Sequence, residues 1–455
     1  MSGLDARFLY SSTPSVHMHT IKVVVVDISA RGVVFSHADL SALIGEKLHR
    51  MPMLHRRVVP APYGLGNPVI INDPDFDINR HLRFRALEAP GGQAQLDALI
   101  GEITGTPLPN DRPLWELTIV EGLAGGQLAF VMKLHHALAD GVASVAMMEN
   151  AFITEQSDAA SEDITPEPFP TRRELYRSSS KGAAAALRTM PRVAKETVVG
   201  TRRSRAISKT ETADLARPFA GPRTAFNVAL TPDRTFASLE LPMPTVVKVK
   251  DAAHVSLNDV FLSLVGGAIR RYLGRVGDLP TQSLVTSMPM ATRIDRHRLS
   301  GNHVDNIFVP LHSDVRDATA RARAVSESSS AARRVRNAFG TDLFELRSGM
   351  IPAGLHGVMP RLWGMTRLAN HLRPPLNLVS SCVRGPRGIL EVDGAVVTAL
   401  YSCGPILEGI GLNITAWSYV DTLYVSFLGC SASLPNPSEL ASDMNLELEE
   451  WVAQL

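Results

Sequence analysis

The chain has 455 residues, of which 45% are hydrophobic and 20% charged, and its formal net charge is +1 at pH 7. That length suits two domains rather than one core, and the near-neutral balance gives no electrostatic case for nucleic acid, so a charge-driven partner must be sought locally. No stretch reaches the roughly eighteen uninterrupted apolar residues of a membrane-spanning helix, and the N-terminus lacks a basic-then-apolar leader; both predict a cytoplasmic protein. Cys382, Cys403 and Cys430 are odd in number and widely spaced, with no CxxC, and read as buried thiols of a reducing compartment.

In chain order, Ile21-Lys22-Val23-Val24-Val25-Val26-Asp27-Ile28 is a β-branched run that predicts a central strand, entered by His17-Met18-His19. Leu40, Leu43, Ile44 and Leu48 recur at helical spacing behind Ser36, a capping residue. Asp73-Pro74-Asp75-Phe76-Asp77 has the composition of a metal loop but lacks the glycine and terminal glutamate of a calcium site, so a turn leading into a strand is expected. A helix over Gln93–Ile103 precedes a strand that begins near Pro113-Leu114-Trp115. Helix and strand alternate without repeats, the pattern of an α/β layered domain.

The apolar run Leu128–Leu134 then delivers the heptapeptide His135-His136-Ala137-Leu138-Ala139-Asp140-Gly141, followed by Val142, Val145, Met148 and Phe152 at helical spacing. The motif therefore sits where a strand gives way to a helix. A buried strand can hold an imidazole rigidly at a cavity mouth, which is what a general base needs. Adjacent side chains on an extended segment point to opposite faces, so one histidine should face substrate and the other structure. Asp140 is placed either to fix the turn or an imidazole, or to pair with an arginine from elsewhere. Gly141 lets the chain reverse with no side chain in the way. The histidines lack the HExxH spacing of a metal pair, so no metal is expected.

From about Ser157 to Arg223 the chain turns Ser-, Pro- and Ala-rich and basic, with cations from Arg172 to Lys209, and predicts an interdomain linker, helical in part. Its positive surplus suits a solvated surface, anionic lipid headgroups or the phosphates of coenzyme A. Beyond it, Thr235–Leu241 reads as a strand. Ser256-x-x-Asp259 is a capping box opening a helix with Phe261, Leu264, Val265, Ala268 and Tyr272 on one face, so Asn258 and Asp259 are assigned to structural support. Leu284–Met290 is a strand, as is Asn306–Leu311. Ala318–Asn337 is a helix with few large apolar groups, hence expected to be exposed, and 343–372 reads either as helices around a channel or as ordinary core. The C-terminal quarter is strand-rich, and Asn436-Pro437-Ser438-Glu439 starts a last helix.

The heptapeptide is HHxxxDG, the signature of the acyltransferase superfamily that includes chloramphenicol acetyltransferase-like enzymes and the condensation domains of peptide synthetases. Its flanks, Pro113-Leu114-Trp115-Glu116-Leu117, Val120-Glu121-Gly122-Leu123, Leu4–Leu9, Met18-His19, Asn258-Asp259, Gly301-Asn302-His303 and Gly409–Thr415, resemble the bacterial, actinobacterial-type wax ester synthase/diacylglycerol O-acyltransferase family. The resemblance runs from the first residues to the last helix. It implies an α/β fold of two chloramphenicol acetyltransferase-like halves with mixed sheets around a central tunnel, residues 1–156 and 224–455, joined by the linker 157–223. It implies long-chain acyl-CoA as a substrate rather than a cofactor, diacylglycerol or a fatty alcohol as acceptor, and no resident cofactor. His136 would be the general base, His135 and Asp140 would orient the loop, and Gly141 would give it room. Superfamily members tie the motif aspartate to an arginine, and Arg293 is the expected partner. Peripheral contact with a membrane or lipid droplet would run through the 172–209 basic stretch. Where relatives show Ser-Asn-x-Pro-Gly-Pro, this chain has Ser381-Cys382-Val383-Arg384-Gly385-Pro386, which bears on acceptor contacts. The rival readings are an acyl or peptidyl transferase using a carrier-protein thioester, and a non-catalytic lipid-binding protein of the same fold.

Overall fold

The structure is a computed structural model that describes residues 1–29, 36–64, 66–152, 164–217, 219, 221–292, 298–340, 347–350, 353–386, 388–392 and 394–455. Two six-stranded mixed sheets dominate it. The first contains β1 (His19–Asp27), β4 (Leu82–Ala86), β5 (Trp115–Glu121), β6 (Gln127–His135), β11 (Glu391–Val392) and β12 (Ala395–Cys403), in the order β11-β12-β1-β6-β5-β4. A short hairpin of β2 (Arg56–Val59) and β3 (Val69–Asn72) stands apart from it. The second sheet contains β7 (Arg234–Pro242), β8 (Val285–Ala291), β9 (Val304–Pro310), β10 (Leu378–Arg384), β13 (Leu412–Tyr419) and β14 (Thr422–Cys430), in the order β7-β14-β13-β10-β8-β9.

The valine run makes β1 a central strand because both its faces are buried. It pairs antiparallel with β6 on one side and β12 on the other. Lys22 is the exception to its apolar pattern and lies opposite Ser402 in the register. β11 and β12 come from beyond residue 390 yet complete the first sheet, and the Tyr401 hydroxyl of β12 donates to Glu240 of β7 at 2.6 Å. The two sheets are therefore interlocked rather than merely linked in series.

The helices are α1 (Gly3–Tyr10), α2 (His37–Leu48), α3 (Gln93–Gly105), α4 (Gly141–Phe152), α5 (Arg172–Thr210), α6 (Met243–Ala253), α7 (Leu257–Arg275), α8 (Ala318–Asn337), α9 (Val358–Met365) and α10 (Pro437–Ala453). Capping boxes form at Ser36/Asp39, Thr171/Glu174 and Ser256/Asp259, each closing orphan amides at a helix start. α7 differs from the one-faced helix its spacing predicts: it is buried nearly all round, because the second sheet, α8 and α10 enclose it. A Cβ at Gly266 would stand 2.6 Å from the Leu311 carbonyl oxygen, so only glycine permits that approach.

α8 also departs from its expected exposure. Ala318, Ala322, Val325, Ser328, Ser329, Ala331 and Ala332 are buried, since small residues bring helix backbones close instead of leaving them in water. Arg321 of this helix is wholly buried, donating from Nε to the Ser263 carbonyl at 2.9 Å and pairing with Glu447 of α10. The predicted linker contains one 39-residue helix, α5, whose only buried residues are Leu175, Val193, Gly200 and Ser204. α9, expected as channel wall or core, buries none of its residues. No single described helix is long and apolar enough to cross a membrane.

Candidate active site

The heptapeptide joins the end of β6 to the start of α4, and every turn of it is held by a neighbour. The His135 amide donates to Leu114 O at 3.0 Å and the His136 amide to Met18 O at 2.8 Å. The segment 298–303 then crosses from the second sheet and clasps the turn. Gly301 N donates to Leu138 O at 2.6 Å, and Asp140 N donates to Gly301 O at 3.2 Å. Gly301 has φ +79°, a conformation that disfavours side chains, and it lets the two backbones exchange these bonds.

Asp140 is buried, and its carboxylate does two things at once. One oxygen caps α4, accepting from Ala143 N at 2.9 Å. The other accepts from Arg298 Nη2 at 2.6 Å and from His303 N at 2.8 Å. Of the alternatives open in the sequence, Asp140 takes the turn and the arginine and makes no hydrogen bond to either motif imidazole. The arginine brought to it is Arg298; Arg293 lies outside the described residues. Arg298 also donates to the carbonyls of Ser300, at 2.6 Å, and Gly301, so the pair fixes both strands of the clasp.

The two histidines divide as their alternation predicts. His135 is buried, with Nδ1 accepting from Ala137 N at 3.1 Å and Nε2 facing Ser12 Oγ at 3.1 Å, whose hydroxyl reaches His17 O at 3.4 Å. An Nδ1 that accepts leaves the proton on Nε2. Burial, with His136 beside it, pushes the His135 imidazole down to about 3, so it stays neutral and structural.

His136 is half-buried and stacks on Phe8 of α1, with ring centroids 4.3 Å apart and planes at 12°. Asn302 faces its Nδ1 through Oδ1 at 3.1 Å, while the Asn302 amide nitrogen donates to Asp5 Oδ1 at 2.8 Å and to the His136 carbonyl at 2.9 Å. Those two acceptors fix which end of the amide is nitrogen. Its oxygen must therefore accept from His136 Nδ1–H, and the lone pair falls on Nε2, which has no partner among the described residues. Burial is the main cause that lowers the His136 pKa from its ordinary 6.5, and the Lys22 cation acts in the same direction. Lys22 donates from Nζ to Ser402 Oγ at 2.7 Å and lies 4.8 Å from the Trp417 ring centroid. Burial brings its own pKa to about 8.

Two cavities flank α4. One, of about 580 Å³, begins at Asp140 and Gly141 and is walled by Val145, Met290 and Val383, with Glu149 and Arg384 adding charge. The other, of about 170 Å³, lies between α2, α4 and the first sheet and has almost no polar lining; Ile44, Phe130, Met132, Met147 and Met148 form its walls. Gly141 opens α4 rather than reversing the chain. A Cβ there would meet the Val383 Cγ2 methyl at 3.4 Å, so Gly141 lies where α4 passes the second sheet without a contact that demands glycine. Asp259 caps α7 and accepts from Ser329 Oγ at 2.9 Å, and the neighbouring Asn258 lies on the same helix. Cys382 and Cys403 are pushed up to about 12 by burial, which removes them as thiolate nucleophiles at neutral pH.

The sequence pattern gave no sign of Ser12 or Arg298, and offered Phe8 and Asn302 only as parts of motifs. Lys22 carried a legible signal, a lone charge inside a β-branched run. The doubly engaged carboxylate gives a direct test. Asp140→Ala should cost about 3–5 kcal/mol in chemical denaturation, since it strands a largely buried guanidinium, whereas Asp140→Asn keeps the cap and costs less. Equal stability of wild type and Asp140→Ala would contradict the clasp.

The model of the wax ester synthase/diacylglycerol acyltransferase catalytic domain matches residues 1–261, and that of the WS/DGAT C-terminal domain matches residues 300–451. A Mycobacterium tuberculosis protein named provisionally as a diacylglycerol O-acyltransferase is 36% identical over 445 residues, 98% of this chain and 94% of the relative. A second from that organism, similarly named, is 31% identical over 100% of this chain and 97% of its own length. The wax ester synthase/diacylglycerol acyltransferase of Marinobacter aquaeolei VT8 shares the fold with a TM-score of 0.66 at 24% identity, covering 99% of this chain and 98% of that one. The starter condensation domain of rhizomide synthetase shares it at 0.56 and 12% identity, over 100% and 94%. The chain belongs to the wax ester synthase/diacylglycerol acyltransferase family and is an acyltransferase.

Proposed function

We propose that the protein transfers a long-chain acyl group from acyl-CoA to the hydroxyl of diacylglycerol, forming triacylglycerol, and that fatty alcohols are its second class of acceptor, giving wax esters. The observation that carries this reading is the free Nε2 of His136, set by Asn302 in the turn that leads into a helix flanked by two cavities. The alcohol oxygen attacks the thioester carbonyl while His136 Nε2 takes the hydroxyl proton. The carbon–sulfur bond then breaks, and the proton passes to the departing CoA thiolate. No covalent enzyme intermediate is needed.

The narrower cavity suits a hydrocarbon chain, because its exposed wall is almost wholly apolar, with Lys22, Lys47 and Ser144 the polar residues of its lining. The wider one, with Glu149 and Arg384 on its lining, suits an acceptor with a polar end. The departure at 381–386 bears on acceptor choice for that reason. Family membership across both parts of the chain favours a CoA ester over a carrier-protein thioester. Peripheral contact with a membrane or lipid droplet also belongs to this reading. α5 carries eleven exposed Lys or Arg side chains and two carboxylates, and each cation near an anionic surface contributes roughly 1 kcal/mol.

The experiment is release of free CoA from long-chain acyl-CoA with diacylglycerol or hexadecanol as acceptor, with folded His136→Ala beside wild type. The expected outcome is acceptor-dependent release that falls by about 10²–10⁴-fold in the variant. Equal release by the variant would overturn the mechanism, and no release with either alcohol would overturn the substrate assignment.

Lys22 supplies an independent check on the base. The neutral ring is the active form, so kcat/KM should fall as pH drops through the His136 pKa, below 6.5. Lys22→Met removes a cation that lowers this pKa, so the acid limb should move to higher pH; an unmoved limb would show that Lys22 does not act on the base.

A further inference from the structure

An exposed apolar stripe lies on the segment whose first turn packs against α1. It runs through the 3₁₀ turn Ala353–Gly357 and α9, where Leu355, Met359, Leu362 and Met365 recur at spacings of three and four and so share one helical face. These four side chains are 57%, 72%, 53% and 81% exposed, and none of the α9 residues is buried. Isolated exposed leucines are ordinary, whereas a stripe of this kind marks a surface that something covers. Tyr63 extends the stripe. It is 88% exposed and held at φ +55° in a loop whose next residue, Gly64, packs so closely on Gly354 that a Cβ there would stand 2.9 Å from the Gly354 Cα.

The surroundings carry one sign of charge. Between residues 353 and 373 the chain holds Arg361, Arg367 and Arg373, all exposed, and no Asp or Glu. The carboxylate that comes near, Glu408 beside Gly364, is partly buried and accepts from Thr13 Oγ1 at 3.4 Å. The loop that carries Tyr63 also reaches α5, since a Cβ at Gly66 would stand 2.6 Å from Ser179 Oγ. The basic N-terminal end of α5, with Arg172, Arg173, Arg177 and Lys181, is thereby joined to the stripe. A second copy of the chain is a poor occupant, because an isologous contact would bring the arginines of both copies together. An apolar stripe whose own segment carries arginines and no carboxylates matches the boundary between anionic headgroups and acyl chains.

We propose that Leu355, Met359, Leu362 and Met365, with Tyr63 beside them, insert into an anionic phospholipid bilayer, while Arg361, Arg367, Arg373 and the N-terminal end of α5 hold the headgroups. This rests on the membrane contact proposed above and names the element that enters the lipid. It also gives the placement a purpose. The turn packs on α1, whose Phe8 stacks on His136, so docking brings the catalytic loop to the lipid in which a diacylglycerol resides.

The test is co-sedimentation of the full chain with phosphatidylcholine vesicles, with and without phosphatidylglycerol. The variants are M359E/L362E and R361Q/R367Q/R373Q. Wild type should bind the anionic vesicles and lose binding at high salt. M359E/L362E should bind about tenfold more weakly, and the arginine variant should lose the preference for phosphatidylglycerol. Melting curves and CoA release with a water-soluble alcohol should stay at wild-type values in both, which separates this proposal from the acyl-transfer reading. Equal vesicle binding by M359E/L362E and wild type would overturn it. So would a wild-type dimer that M359E/L362E dissolves without any vesicle binding by wild type, since the stripe would then cover a second copy.

Discussion

The buried pair between Asp140 and Arg298 is the constraint on which the site depends. Asp140 begins the helix that follows the histidines, and Arg298 belongs to the segment that leads into the second sheet, so one 2.6 Å contact joins the halves where the chemistry is placed. Neither charge could stay buried alone. Once they are paired, the Gly301 backbone is brought against Leu138 and Asp140, and Asn302 against His136. The imidazole is then oriented by an amide whose own direction is set by Asp5 and by the His136 carbonyl. Orientation of the His136 imidazole is thus a consequence of docking the two halves.

Burial dominates the electrostatics around the loop and outweighs the opposing pull of Asp140 and Asn302 on His136. His135 is kept neutral by burial and serves as a wedge against Ser12, and His136 is kept neutral by burial with Lys22 reinforcing it. In the proposed reaction the base gains from this, since it would be unprotonated when the alcohol arrives. The price is a lysine buried on a central strand, which the structure offsets with Ser402 and the face of Trp417.

Much of this architecture was legible because it depends on local pattern. The valine run gave β1, the capping box at Ser256 gave α7, and the apolar run before His135 gave the strand-to-helix turn. What stayed hidden depends on long-range partners. The stretch Arg293–Arg298 holds three arginines, and nothing local distinguishes the one that reaches Asp140. Asn302 looks like a turn residue until the fold sets it beside His136, 166 positions away. α8 misled because alanine and serine read as weakly apolar, while in a packed helix pair their small size is what permits burial. The stripe at 355–365 reads as core by composition, and only its placement shows that the described residues leave it exposed.

The central claim is that the loop presents an unprotonated Nε2 on His136. The most direct measurement is the nitrogen spectrum of the imidazoles in protein labelled with ¹⁵N-histidine, with His136 assigned by His136→Gln and followed through a pH titration. The account predicts a neutral ring at neutral pH that carries its proton on Nδ1 and titrates below 6.5. A ring protonated on Nε2, or one that is already cationic at neutral pH, would contradict it.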